Sequence, residues 1–256
     1  MRYRLMLFKI GVKKGFSSKY VLLFYLFSTL ISIIVQYFLW QAVLINRPVS
    51  EFRQTLSYLV LMQFLSVLFP KTSYDVNDKV QSGDIALDLL KPVAVSTQLF
   101  WESVGYAGAK FMLVGVVNIG IYLWLLDFRI MPAAILMVAV AGVLAYILYF
   151  ELEMLMGTLS FYTYSIWGIV TFKEAILLIL AGNVFPTYFY PAALRTLSSF
   201  LPFQYSFGAV GILAQTPTTG LFFRVTAIQL AYIVLFAILL RLLFRHAVTK
   251  TVIQGG

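Results

Sequence analysis

Cysteine is absent from all 256 residues. That excludes a disulfide framework, a thiol nucleophile and a thiolate metal site. Charge is scarce: only 11% of residues are Asp, Glu, Lys or Arg, against about 25% in an ordinary soluble domain. The single histidine, His246, stands in a tail among Arg241, Arg245 and Lys250. A lipid head-group contact explains it better than catalysis does. No His-Glu-x-x-His, no Gly-x-Ser-x-Gly and no Gly-x-x-x-x-Gly-Lys-[Ser/Thr] occurs. An enzyme of those classes, or an ATP site on this chain, is therefore not expected. Internal repeats are missing as well, and with them the inverted-repeat mark of many secondary transporters.

What the chain has instead is apolar surface. Hydrophobic residues make up 61% and aromatics 17%, and mean hydropathy is +0.91. These values place it among membrane proteins, with length for one all-α membrane domain, residues 1–256. The net charge of +9 reads as basic loops facing anionic lipid, not as a nucleic-acid footprint.

Six spans are expected, at about 20–45, 54–69, 98–126, 131–158, 166–181 and 221–244. The second is short for a hydrocarbon core of about 30 Å, so its helix must begin earlier or its flanks must snorkel. Asp127-Phe-Arg129 reads as the turn between the third and fourth spans, and 161–165 as the next turn. Residues 1–18 read as an interfacial helix, with Leu5, Phe8, Val12 and Phe16 recurring at helical spacing. The apolar run that follows is too long for the core of a cleaved signal. Between the fifth and sixth spans, Gly182, Pro186, Pro191 and Pro202 interrupt an aromatic stretch, as re-entrant helices would require.

Basic residues set the orientation. One side holds Arg2, Arg4, Lys9, Lys13, Lys14, Lys19, Lys71, Lys79, Lys91, Arg241, Arg245 and Lys250, which is twelve. The other holds Arg47, Arg53, Arg129, Arg195 and Arg224, which is five. Both termini, and the polar segment 70–97, are thus expected in the cytoplasm.

That segment contains Val80-Gln-Ser-Gly-Asp-Ile-Ala-Leu-Asp-Leu-Leu-Lys-Pro-Val93. Ser73 or Asp75 is placed to cap a helix that Gly83 interrupts and Pro92 stops. Asp84 and Asp88, spaced i, i+4, are expected on one face; Ile85, Leu87, Leu89 and Leu90 form the other. A helix this short needs a docking surface, and acids suit an anionic leaflet poorly. A protein groove is the better partner.

Gly83-Asp-Ile-Ala-Leu-Asp-Leu-Leu-Lys-Pro-Val93 resembles the G-[DE]-I-x-x-D-L-[LI]-[RK]-P segment of type-2 ABC exporter permeases (the ABC-2 type), in particular a bacterial subgroup of permease components. Ala181-Gly-Asn-Val-Phe-Pro-Thr-Tyr-Phe-Tyr-Pro191 with Leu201-Pro202-Phe203 is similar to that family's S-G-x-x-x-P-x-x-x-F-P…L-P-F segment. Ala181 and Tyr190 stand where Ser and Phe are usual. The resemblance implies one permease subunit of an ATP-driven exporter in the bacterial inner membrane. It implies pairing with an identical or sister permease and with a cytoplasmic ABC ATPase dimer. ATP and Mg would be held by that ATPase, with no cofactor or metal on this chain. Val80–Leu90 would be the coupling helix, and Gly182–Phe203 the re-entrant segment closing the outer side. An amphiphilic, lipid-like or drug-like cargo would then move between paired subunits.

Ionisable groups inside spans default to functional candidates. Lys110 would pair with a carboxylate on another helix or contact an anionic head group. Glu151 and Glu153 would lie on different faces near the inner end of the fourth span, one of them answering Lys110. Glu102 reads as an interfacial anchor, and Lys173–Glu174 is ambiguous. Phe185 and Tyr188 belong either to the interfacial belt or to a substrate exit. A secondary transporter or channel relaying ions through Lys110, Glu151 and Glu153 is the alternative function; a membrane scaffold without transport is a third.

Overall fold

The structure, a computed structural model, describes residues 2–17, 19–125 and 132–249. The expected turn at Asp127–Arg129 and the basic residue Lys250 lie outside the described residues. Among the described residues every regular element is helical. In chain order these are α1 (Arg2–Ser17), α2 (Lys19–Val43), α3 (Val49–Leu68), α4 (Thr72–Ser82), α5 (Ile85–Leu89) and α6 (Val95–Lys110). A π-helical turn, Phe111–Gly115, joins α6 to α7 (Val116–Leu125). Then follow α8 (Pro132–Thr158), α9 (Trp167–Leu180), α10 (Ala192–Ser199), α11 (Pro202–Ser206), α12 (Gly208–Gln215) and α13 (Thr219–Thr249).

Five stretches are long and apolar enough to cross a membrane: Tyr20–Val43, Val49–Ser82, Val95–Leu125, Ala133–Phe161 and Thr219–Thr249. The fifth expected span, at about 166–181, corresponds to α9, which has 14 residues. At 1.5 Å per residue it reaches about 21 Å, short of a core of about 30 Å. The short second span is resolved by an earlier start. α3 begins directly after Pro48, a residue suited to a helix entry, and its 20 residues cover about 30 Å.

α8 is the axis of the bundle, with α13, α4, α11 and α12 around it. α3 packs on α2, α7 and α12. The main apolar core joins Tyr58, Met62, Leu65 and Phe69 of the α3 segment to Leu148 and Tyr149 of α8 and Val210 and Leu213 of α12. A smaller core unites Val76, Ile85, Val95, Leu99 and Met154 at the end that carries α4 and α5. Phe161 meets Phe244 edge to face at this end, with centroids 5.7 Å apart. At the other end Gln215 donates to the Gln54 carbonyl at 3.0 Å. The chain therefore travels from one end to the other through α9 to α12.

α1 is the expected helix, but its packed face is not the expected one. Its buried stripe is Leu7, Gly11 and Gly15, not the bulky set, and Leu5 and Phe16 face outward. The glycines seat α1 against α6: a Cβ on Gly11 would stand 2.0 Å from the Glu102 carbonyl oxygen, and one on Gly105 would stand 2.1 Å from that of Phe8. Small residues at both positions let two backbones meet, as in close membrane helix pairs. Lys14 then pairs with Glu102 at 3.3 Å and Asp75 at 3.6 Å, so Glu102 holds α1 to α6.

Candidate functional site

The segment expected to face a partner is an elbow of two helices. Pro70 lacks the N–H needed to continue α3, and α4 starts two residues later. α4 ends at Gly83, which adopts φ 82° and donates its N–H to the Val80 carbonyl at 3.3 Å. A left-handed glycine closes a helix at little steric cost. The interruption at Gly83 is the expected one, and it divides Val80–Leu90: Val80 belongs to α4, and α5 begins at Ile85.

The two acids do not share a face. Asp84 is exposed and accepts from the Ser82 hydroxyl at 2.9 Å. Asp88 turns inward, accepting from Lys79 at 2.6 Å and Lys91 at 2.5 Å. Gln98 donates to the carbonyls of Asp88 (3.0 Å) and Val93 (2.8 Å). Ile85 is buried at 2% exposure, while Leu87 and Leu90 are 62% and 83% exposed. The elbow is clamped from within and presents Leu87, Leu89, Leu90 and Asp84 outward. Burial alone would raise the Asp88 pKa, but hydrogen bonds from Lys79 and Lys91 outweigh it and hold it below the usual carboxylate value. Because the folded pKa is the lower one, Asp88 stabilises the elbow above about pH 4, and that contribution is lost as pH falls through the depressed value. A spin label at Leu90→Cys is expected to gain mobility on acidification below pH 4, and at neutral pH in Asp88→Asn. Equal mobility across that range in the parent and in Asp88→Asn would remove the clamp.

The caps predicted at Ser73 and Asp75 are replaced by a tertiary one. No side chain caps α4 locally. Glu153 of α8 accepts from the Ser73 N–H at 3.1 Å and the Ser73 hydroxyl at 2.6 Å. Lys173 of α9 pairs with the other Glu153 oxygen, stands 3.0 Å from Glu174, and lies 5.3 Å from the Tyr149 ring centroid. Glu153 therefore answers Lys173, not Lys110, and ties α4, α8 and α9 together. Lys110 has no carboxylate partner among the described residues. It donates to the Val67 carbonyl at 2.6 Å, reaches that of Phe69 at 3.5 Å, and sits between the rings of Tyr25 and Tyr106. These are carbonyls at the helix break, where Pro70 and the bend end the ladder. One oxygen of Glu151 is buried with no hydrogen-bond partner among the described residues.

At the opposite end, Pro186, Pro191 and Pro202 precede or begin short helical pieces. Gly182 adopts φ 76°, and its carbonyl accepts from the Tyr58 hydroxyl at 2.6 Å. Tyr188 exchanges a hydrogen bond with Thr55 at 3.0 Å. Trp40 stacks on Phe189 at 5.0 Å and meets Phe185 at 6.2 Å. The broken segment is thereby fastened to α2 and α3.

An interrupted stretch beside the last long helix and a polar elbow after the second long helix agree with one family model, that of the ABC-2 family transporter protein, which matches residues 49–255. The chain belongs to the ABC-2 family. It is accordingly a multi-pass membrane component of an ABC transporter, a transport subunit that is not itself catalytic and that works with an ATPase. Neither a curated protein nor a solved structure matches it.

One feature of this ABC-2 chain has no counterpart in the sequence reading. α6 meets α8 through Phe100, 5.1 Å from Phe150, and through the Tyr146 hydroxyl, which donates to Ser103 at 3.0 Å; otherwise a cleft of about 1120 Å³ opens between α6–α7 and α8, backed by α3 and α12. Phe64, Trp101, Phe111, Val143 and Tyr146 line it, with Gln54, Ser57 and Gln215 among its few polar groups. Asn118 lines it too, donating to the Val114 carbonyl at 2.8 Å while its Oδ1 is buried without a partner among the described residues. Each apolar residue there reads in sequence as ordinary span material, so only the separation of helices identifies the cleft. The helix pair α1–α6 did leave a signal, Gly11-x-x-x-Gly15 and Gly105-x-x-x-Ala109, which the bulky periodicity of α1 overshadowed.

Proposed function

We propose that the chain is the membrane half of an ATP-driven exporter in the bacterial inner membrane, with both termini cytoplasmic. Two such permeases, identical or sister, would pair above a cytoplasmic ATPase dimer that holds ATP and Mg. α5 is the contact with the ATPase. The observation that carries this is the contrast within the elbow: Ile85 and Asp88 are spent on the fold, while Leu87 and Leu90 project outward from a helix of five residues. So short a helix holds its shape only because tertiary contacts clamp it. Exposed leucines on a rigid stub suit insertion into an apolar groove.

Movement of α5 would pass through α4 to Ser73 and on to α8 and α9 through Glu153 and Lys173. α9 together with 182–206 would make the fifth passage across the membrane. The apolar character of the cleft, with its sparse polar groups, favours an amphiphilic, lipid-like or drug-like cargo leaving towards Gly182–Phe203. A relay of ions through Lys110, Glu151 and Glu153 has less support, because Glu153 is fully engaged by Ser73 and Lys173.

Leu87→Ser/Leu90→Ser is the direct test, since both side chains face outward and the fold does not need them. Each truncation is expected to cost about 1–2 kcal/mol of docking. The pair should weaken co-purification of the ATPase roughly a hundredfold and abolish coupled hydrolysis. Wild-type assembly and hydrolysis in that variant would refute α5 as the contact.

A further inference from the structure

A second, smaller cavity of about 300 Å³ lies where α1, α2, the α3–α4 bend and α6 meet. Three ammonium groups border it, from Lys14, Lys71 and Lys110, and two carboxylates, from Asp75 and Glu102. Lys14 pairs with both carboxylates. Among the described residues no carboxylate pairs with Lys71 or Lys110, so two cations share one small cavity without a counter-ion.

The positions of these cations differ in a useful way. Lys71 is exposed at the bend, and Lys110 is buried at 4% exposure. An ammonium has three N–H donors. The Val67 carbonyl takes one at 2.6 Å, and that of Phe69, at 3.5 Å, is at the limit of a hydrogen bond. At least one donor is left. Tyr74 and Ser103 add hydroxyl-bearing side chains to the lining. The carbonyls of Val67 and Phe69 and the rings of Tyr25 and Tyr106 offset part of the cost of burying the Lys110 ammonium, and an oxyanion that accepts charged hydrogen bonds would remove more of it.

We propose that this cavity binds a phosphate-bearing anion between Lys71 and Lys110. The group has two sources, the head group of an anionic phospholipid or free phosphate. The exposed apolar flank of α2 nearby, at Val21, Phe24 and Phe27, offers acyl chains a surface and favours the lipid. A bound anion would bridge α6 to the bend from which the elbow hangs. In the orientation proposed above such a lipid would belong to the inner leaflet; the binding itself does not rest on that orientation.

The test uses the purified full chain exchanged into detergent with a defined mixture of phosphatidylglycerol and phosphatidylcholine, read by native mass spectrometry. Lys71→Gln is the variant of choice, because Lys110 also satisfies helix carbonyls and its loss endangers folding. The wild type is expected to retain phosphatidylglycerol over phosphatidylcholine, and Lys71→Gln to lose about tenfold of that preference. Lys9→Gln/Lys13→Gln, which alters exposed charges of α1 outside the cavity, should keep it. In a second arm, inorganic phosphate is added to lipid-stripped protein. A rise in melting temperature for the wild type but not for Lys71→Gln, without a lipid preference, assigns the site to free phosphate. The proposal is overturned if Lys71→Gln matches the wild type in both arms. It is equally overturned if the Lys9/Lys13 variant loses the preference as fully as Lys71→Gln. No ATPase enters either readout, so failure here leaves the exporter reading untouched.

Discussion

Lys173→Met is expected to be the most damaging single substitution in the bundle. Glu153 is 1% exposed, and Lys173 is its only cationic partner among the described residues. Removing the ammonium leaves a buried carboxylate with only neutral partners, Ser73 and the Tyr149 hydroxyl. Breaking a buried pair in this way costs about 3–5 kcal/mol, which lowers the melting temperature by roughly 10 °C in a chain of this size. Glu153→Gln should be milder. Lys173 then keeps Glu174 at 3.0 Å and the Tyr149 ring, and a glutamine still accepts from Ser73. The double variant Glu153→Gln/Lys173→Met buries no charge and should recover most of the loss. The ordering is the test: thermal unfolding of the three variants in detergent should rank Lys173→Met lowest. Melting of Lys173→Met at the wild-type temperature would show that the pair contributes nothing.

Gly105→Leu is expected to detach α1 from α6. The new side chain would begin 2.1 Å from the Phe8 carbonyl oxygen, and backbone cannot yield as a flexible side chain does. Overpacking of this kind costs about 1–3 kcal/mol, relieved here by expulsion of the helix. The Lys14 pairs with Asp75 and Glu102 would go with it. The absence of native cysteine makes the readout clean. Leu7 is buried in the α1–α6 contact, so Leu7→Cys should resist maleimide in the parent and react at least about tenfold faster with Gly105→Leu, as local opening predicts. Unchanged labelling would mean that α1 holds on through contacts other than the glycine seam.

Much of the chain was legible because the signals are local. Pro70, Gly83, Pro186, Pro191 and Pro202 stop or start helices wherever they fall, since a missing N–H or a positive φ acts on the adjacent turn. Apolar length located the long helices, while α9 looks like a complete span in sequence and at 14 residues is too short to be one by itself. The polar elbow is legible in the sequence, yet i, i+4 spacing places its two acids on one face. Periodicity cannot tell an aspartate that meets solvent from one that meets Lys79 and Lys91. The same limit misplaced Glu153, whose partners Ser73 and Lys173 are 80 and 20 residues away.

The sequence by itself determined the solvent this protein lives in, its helical class, its breaks and its polar elbow, because polarity and backbone chemistry act over a few residues. Tertiary structure alone decided which buried charges meet, which face of α1 is packed, and where α6–α7 and α8 part to leave a cleft. The reason is the same in each case. In a medium without water, a buried polar side chain must find its partner within the protein, and for a charge such as Glu153 that partner stands on another helix, fixed by distances across the bundle.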